Sequence, residues 1–302
     1  CMFPIFVFRK IPMSPSRTVH VVGVGMIPFT KPGASDPYPV MGARAAKLAL
    51  EDAGVPYAEV QQAFVGYVYG DSTAGQAAVY GVGLSGIPVF NVNNNCSTGS
   101  TALFLARQAV ASGAVDCALA VGFEQMKPGA LGSVYTDRPS AFETFDAACD
   151  ALVGMPQIPL ALRYFGGAGL AHMKQYGTPL SAFAKIRAKA SRHAAKNPLA
   201  LLRKELTPEE VLESPVIWDG VMTRLMACPP TCGGAAAVLV SEAYARRRGL
   251  STRVELVAQA MTTDTASTFE GHDMRKVVGA DMAKAAADQV YAQAGIGPGE
   301  VQ

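Results

Sequence analysis

Asn93-Asn94-Asn95-Cys96-Ser97-Thr98-Gly99-Ser100 gathers a thiol, hydroxyls, carboxamides and a glycine into one short block. An apolar run, Ile87 to Val92, precedes it, and a helix-like segment, Thr101 to Ala111, follows. A cysteine at such a junction meets the unpaired N–H groups and positive partial charge of a helix start. That setting favours thiolate, the nucleophilic form of the side chain. Ser97 and Thr98 are suitable capping residues, and Gly99 lets a substrate or a second backbone approach closely. Free cysteines are more often inert core packing. The small polar neighbours of Cys96 argue against an apolar slot, and local chemistry leaves both readings open.

Other groupings carry weaker chemistry. Lys185, Lys189, Arg192 and Lys196 fall on one face of a helix expected over 180–196, and a solvated surface is the ordinary reading of such a face. Cys228 and Cys232 enclose two prolines, with no second pair nearby at ligand spacing, so no metal site is expected. Gly81-Val82-Gly83-Leu84-Ser85-Gly86 fits a dinucleotide fingerprint by spacing, but it follows a helix-like stretch and precedes a strand. The fingerprint needs the opposite order, so the segment reads as a turn. Cys117 lies in an apolar run and reads as packing, and Cys149 has no distinguishing context.

The elements that must position Cys96 alternate along the chain. Thr18–Val24, Gln62–Tyr69, Val89–Val92 and Cys117–Phe123 read as strands, with Val89–Val92 short and buried. Val40–Ala53, stopped by Gly54, and a small-residue stretch from Ala74 read as helices. This order predicts an α/β fold with a mostly parallel sheet covered on both faces. Residues 126–232 break the pattern with Pro, Gly, aromatic and charged residues, and read as an inserted subdomain. The sheet pattern resumes at Gly234–Val240, followed by a helix over Ser241–Arg248. A strand over Arg253–Met261 and a helix over Val277–Ala294 then open a second unit, which reads as unfinished at Gln302.

Composition sets outer limits. The 302 residues are half apolar, only 17% charged, and carry 30 glycines with a net charge of +2. Lys and Arg are scattered, so a nucleic-acid partner is not expected. A mean hydropathy of +0.20 is high for a monomer and suggests an interface between subunits. Six cysteines at irregular spacing, with no secretory signal, favour a reducing compartment over a disulfide framework. The apolar start, Cys1 to Phe8, is too short to span a bilayer, and its basic pair follows rather than precedes it. Met13 fits a natural start, with 1–12 an upstream extension.

Taken together, these segments resemble the thiolases, and among them the sterol-carrier-protein type. The resemblance rests on Val21-Val22-Gly23-Val24-Gly25-Met26, Gly66-Tyr67-Val68-Tyr69-Gly70-Asp71-Ser72-Thr73 and the Cys96 block. It rests also on Ala120-Val121-Gly122-Phe123-Glu124-Gln125-Met126, Ala171-His172-Met173-Lys174-Gln175-Tyr176-Gly177 and Gly234-Ala235-Ala236-Ala237, in the family's order. It implies a layered αβαβα fold: 13–125 with 233–250 as the N-terminal half, 126–232 as the inserted loop subdomain, and 251–302 as the start of a C-terminal half. It implies catalysis by Cys96, which would take an acyl group from a β-ketoacyl-CoA and pass it to CoA, its own backbone N–H contributing to an oxyanion hole.

The same resemblance turns the basic face of Lys185, Lys189, Arg192 and Lys196 into a candidate contact for CoA phosphates. CoA would then be a substrate, with no further cofactor, and the chain would form a homodimer in a bacterial cytoplasm or a peroxisome. Two departures stand out. The family's His-Asp-Cys-Phe and Gly-His-Pro motifs have no counterpart, since His20, His172, His193 and His272 all lie in other contexts. The chain therefore reads as truncated at its C-terminus and as inactive or nearly so by itself. Gly233 stands where the family usually has Asp, and the loss of that carboxylate leaves local order near Cys228–Gly234 open. The alternatives are a non-catalytic thiolase-like subunit that binds acyl-CoA or a partner, and a condensing enzyme of the ketoacyl-synthase kind.

Overall fold

The computed structural model describes residues 16–129, 132, 135–154 and 157–301, so the expected N-terminal extension lies outside the described residues. The first elements are β1 Val19–Met26, α1 Tyr38–Ala53, β2 Gln62–Gly66, α2 Ala74–Tyr80, β3 Val89–Val92, α3 Thr98–Ala111 and β4 Cys117–Glu124. Then come α4 Glu143–Val153, α5 Leu160–Tyr176, α6 Leu180–Ala195, α7 Pro208–Leu212, β5 Val216–Trp218 and β6 Met222–Thr223. The chain continues through β7 Gly233–Ser241, α8 Glu242–Arg248, α9 Ser267–Glu270, α10 Met274–Val277 and α11 Ala280–Ala294.

β1, β7, β4, β2 and β3 form one sheet in that order. β2 pairs in parallel with β3 and β4, while β7 runs antiparallel to both β1 and β4. Four strands therefore share a direction and β7 opposes them, so the sheet is mixed as expected but not mostly parallel: two pairings are parallel and two antiparallel, because β7 enters between β1 and β4. Alternation along β4 feeds two cores. Cys117, Leu119, Val121 and Phe123 join α1 and α2 on one face, and Ala118 and Ala120 join Ala102, Ala106 and Val110 of α3 on the other.

α1 begins on prolines in its first turn and ends at Gly54, whose φ of 63° supplies the left-handed cap. Its buried side chains are mostly alanines, and it lies backbone-close on β1. A Cβ at Gly23 would collide with the Ala49 carbonyl, and one at Gly25 with the Ala45 carbonyl. These two glycines of the Val21–Met26 segment thus set the spacing between helix and sheet.

Several expectations need correction. β3 is a sheet edge rather than a buried strand: Phe90 is 44% exposed, and only Val92 of the four residues is buried. α3 starts at Thr98, three residues before the expected boundary. The strand expected over Arg253–Met261 does not form. It makes one bridge, Glu255 to His20, with backbone bonds from Val21 to Val254 and from Leu256 to Val19. Its carbonyls turn instead to side chains of α3: Arg107 donates to Leu256 O at 2.8 Å and to Val257 O at 3.0 Å. The helix expected over Val277–Ala294 is broken by Gly279 at φ 92°, leaving α10 and α11. Residues 126–232 hold α4 and α5 besides the expected basic helix α6.

Candidate functional site

The turn between β3 and α3 carries Cys96. Asn95 adopts φ 47°, a left-handed conformation that asparagine tolerates better than most residues. This reverses the chain within Asn94–Ser97, where Ser97 N donates to Asn94 O at 3.1 Å and Thr98 N to Asn95 O at 3.1 Å. Side chains then latch the turn to the helix. Asn94 N donates to Thr98 Oγ1 at 2.9 Å, and Asn94 Nδ2 donates to Thr101 Oγ1 at 3.0 Å. Ser97 occupies the N-cap position, but its hydroxyl donates back to Asn94 O at 2.7 Å rather than capping the helix. The expected capping role of Ser97 and Thr98 is therefore replaced by a role in holding the turn.

Cys96 is exposed and immediately precedes that N-cap, at the positive end of the α3 dipole. It lines a cavity of about 310 Å³. The floor comes from glycines at the strand ends: Gly66 of β2, Gly122 of β4, Gly233 and Gly234 of β7. Aromatic residues supply walls, with Phe29, Tyr67, Tyr69 and Phe123 all bordering the space. Tyr67 and Phe123 stack with centroids 5.3 Å apart, and Tyr38 also stacks with Phe123 at the same distance. Met126 closes the cavity near the start of β7, where the buried Cys232 Sγ accepts its N–H at 3.2 Å.

Glu124 is the one carboxylate that lines this cavity among the described residues. Burial pushes its carboxyl above the usual carboxylate range, opposed by N–H donors from Tyr69, Val68 and Gln125. The sequence singled out Glu124 only as part of a family segment. An acid ending an otherwise apolar strand was the available signal.

The remaining candidates lie elsewhere. Lys185, Lys189 and Arg192 on α6 and Lys196 at its C-cap are all exposed and form no ion pair with the described residues, and none lines the Cys96 cavity. The structure thus does not bring them into one pocket with the cysteine. α6 itself is seated by Arg187, which donates to Leu225 O at 2.8 Å, and by Ser191, whose hydroxyl accepts Leu206 N at 2.9 Å.

No histidine lines the cavity among the described residues. His20 is buried in β1, and His172 bonds Thr178 Oγ1 at 3.0 Å. Cys117 is buried in β4, and burial pushes its thiol up to about 12, as expected for a packing residue. Cys228 is exposed and Cys232 buried.

The backbone at Gly233 is paired. Thr30 and Cys232 exchange backbone bonds at 2.9 and 2.8 Å, and Gly233 pairs with Glu124 in the β7–β4 ladder. A Cβ at Gly233 would stand 3.0 Å from the Phe29 ring, so the missing side chain is what admits that ring.

Residues 19–214 match the family profile described as Thiolase, N-terminal domain. "Sterol carrier protein 2" of Oryctolagus cuniculus is 46% identical over 296 residues, covering 96% of this chain and 53% of the relative. The chain thus spans about half the length of that curated relative. A solved structure described as "Ltp2-ChsH2(DUF35) aldolase" superposes with a TM-score of 0.74 at 20% identity, covering 94% of this chain and 71% of the other. Human mitochondrial 3-ketoacyl-CoA thiolase in complex with CoA gives 0.68 at 17% identity, covering 93% and 76%. At such identities the two structures establish the fold, while profile and sequence identity establish kinship: this chain belongs to the thiolase family, within its sterol-carrier-protein type.

Proposed function

We propose that Cys96 is the acyl-accepting nucleophile of a thiolase-type acyltransferase. The observation that carries this reading is an exposed thiol at a helix start, opening into a cavity with a glycine floor and aromatic walls. The glycines let a substrate lie against backbone, and the aromatic walls suit an acyl chain. In the degradative direction the Cys96 sulfur attacks the β-carbonyl carbon of a β-ketoacyl-CoA. The bond between the α- and β-carbons breaks, and its electron pair leaves on the α-carbon, which takes up the proton given up by the Cys96 thiol as the shorter acyl-CoA departs. The sulfur of free CoA then attacks the acyl carbon, its proton passes to the Cys96 sulfur as the bond to Cys96 breaks, and the thiol is restored. Splitting the transfer this way replaces one difficult step with two easier ones. The Cys96 backbone N–H serves the oxyanion of the first adduct.

CoA is a substrate in this scheme, and no further cofactor is invoked. The exposed cations of α6, Lys185, Lys189, Arg192 and Lys196, pair with its phosphates. The homodimer forms along the β3 edge, where Phe90 is 44% exposed and Leu84, in the loop leading into β3, is 82% exposed. The deciding experiment is intact-mass detection of acyl transfer from an acyl-CoA, in which Cys96 gains the acyl group and CoA thiol is released. Labelling should disappear in Cys96→Ser; equal labelling there removes the case for this residue. Saturable CoA binding with no mass change would favour the second reading, a subunit that binds without catalysis.

A further inference from the structure

We propose that Glu124 is a positioning residue of the Cys96 site, holding Val68 and Tyr69 by their backbone N–H groups as a cavity wall that sets which acyl groups reach the sulfur. The proposal rests on the acyl-transfer reading of Cys96. Glu124 Oε2 accepts Val68 N at 3.0 Å, and Oε1 accepts Tyr69 N at 2.9 Å. One carboxylate thus grips two consecutive peptide groups, and Glu124, Val68, Tyr69 and Cys96 all border the same space.

The gripped segment needs such an anchor. β2 ends at Gly66 and α2 starts at Ala74, and no helix or strand spans the residues between. One end of the segment is held by Tyr67, stacked on Phe123, with its hydroxyl donating to Asp71 O at 3.0 Å. Glu124 supplies the other hold. It is itself fixed in register, as the last residue of β4, against Gly233 of β7. The clamp therefore ties a loop to the rigid sheet that also carries the glycine floor.

The chemistry of the clamp is unusual for a purely structural bond. Among the described residues no cation pairs with Glu124, so peptide N–H groups alone support a half-buried carboxylate. Burying such a charge is unfavourable, and a neutral acceptor would satisfy one N–H at lower cost. A carboxylate is the side chain that accepts from two neighbouring donors at once, one through each oxygen. Glu124 makes no hydrogen bond with Cys96, so its action passes through the wall it holds.

The test compares the unsubstituted chain with Glu124→Gln and Glu124→Ala in three measurements. Amide exchange at Val68 and Tyr69 should quicken by about tenfold or more in Glu124→Ala, the least that loss of a bond to a charged acceptor entails. Acylation of Cys96 should change its selectivity between acetyl-CoA and a bulky branched acyl-CoA by about tenfold, while alkylation by iodoacetamide stays within about threefold. Glu124→Gln, which keeps one acceptor oxygen, should fall between the two and guards against a poorly folded alanine variant. Unchanged exchange overturns the clamp. An equal fall for both acyl groups and for iodoacetamide overturns the positioning role, since that pattern marks general damage. If the unsubstituted chain is never acylated, the acyl-transfer reading fails, and amide exchange decides the clamp by itself.

Discussion

Gly66→Ala should dislodge Cys96 without touching it. A Cβ at Gly66 would lie 2.7 Å from Thr98 Cγ2 and 2.8 Å from Thr98 O, against the 3.4 Å at which ordinary contact begins. The carbonyl is backbone, so no rotamer relieves the overlap, and the first turn of α3 must retreat by about 0.6 Å. Overpacking of this kind costs about 1–3 kcal/mol. The retreat also moves the Asn94–Ser97 turn, because Asn94 N is bonded to Thr98 Oγ1. Displacement of a reacting group by about 1 Å can cost about 100-fold in rate. Gly99→Ala is the matched control: nothing lies within 4 Å of its Cβ position, and a helical alanine outranks glycine by about 1 kcal/mol. Urea unfolding should show Gly66→Ala less stable than the unsubstituted chain and Gly99→Ala equal or more stable. Iodoacetamide labelling of Cys96 should slow only in the former. Equal stability and equal labelling in both variants would refute the inference that strand-end glycines place the helix start.

Thiol mapping at pH 8 gives a second check. Of the five described cysteines, Cys96 and Cys228 should react with a disulfide reagent in the native state, and Cys117, Cys149 and Cys232 only after denaturation. Burial holds the Cys117 thiol at about 12 and raises that of Cys149, so early labelling of either would contradict the packing described. Asp273 supplies a pH test. Its carboxylate caps α10 and is held below the usual range, first by the hydrogen bond from Arg275. A depressed carboxylate stabilises the fold above its ordinary value and loses that effect as pH falls through the folded value. Asp273→Ala should therefore cost about 0.5–2 kcal/mol at neutral pH, and the gap should close in acid. A gap that widens in acid would reverse the assignment. Gly233→Ala should displace the Phe29 ring and lower stability by about 1–3 kcal/mol; a more stable variant in urea unfolding would show that the ring has room.

The sheet was legible because its strands carry unmixed apolar runs, as in β4, where Cys117 to Val121 are all buried. The same signal misled at Val89–Val92, since a short apolar run reads alike at an edge and in the centre. α5 was obscured by Gly166, Gly167 and Gly169, which look like loop residues in sequence. In space they admit neighbours, for a Cβ at Gly166 would stand 2.6 Å from the Trp218 ring and one at Gly167 3.1 Å from Met274. Residues 253–261 have a strand's composition, but their carbonyls are met by Arg107 and their hydrogen bonds reach only part of β1. The junction of strand and helix that carries Cys96 was legible from its neighbours. Glu124, Phe29 and Gly66 were not, because each matters through a partner far away in the chain.

The placement of β7 constrains how the molecule can be made. β1 reaches β4 only through β7, which is contributed some two hundred residues later. A chain emerging from the ribosome can pair β2, β3 and β4 early, yet β1 has no strand to pair with until 233–241 arrive. Contacts so distant in sequence are slow to close, and open strand edges invite mispairing meanwhile. Gly233 and Gly234 arrive with that same late strand, so the cysteine is synthesised well before its pocket has a floor.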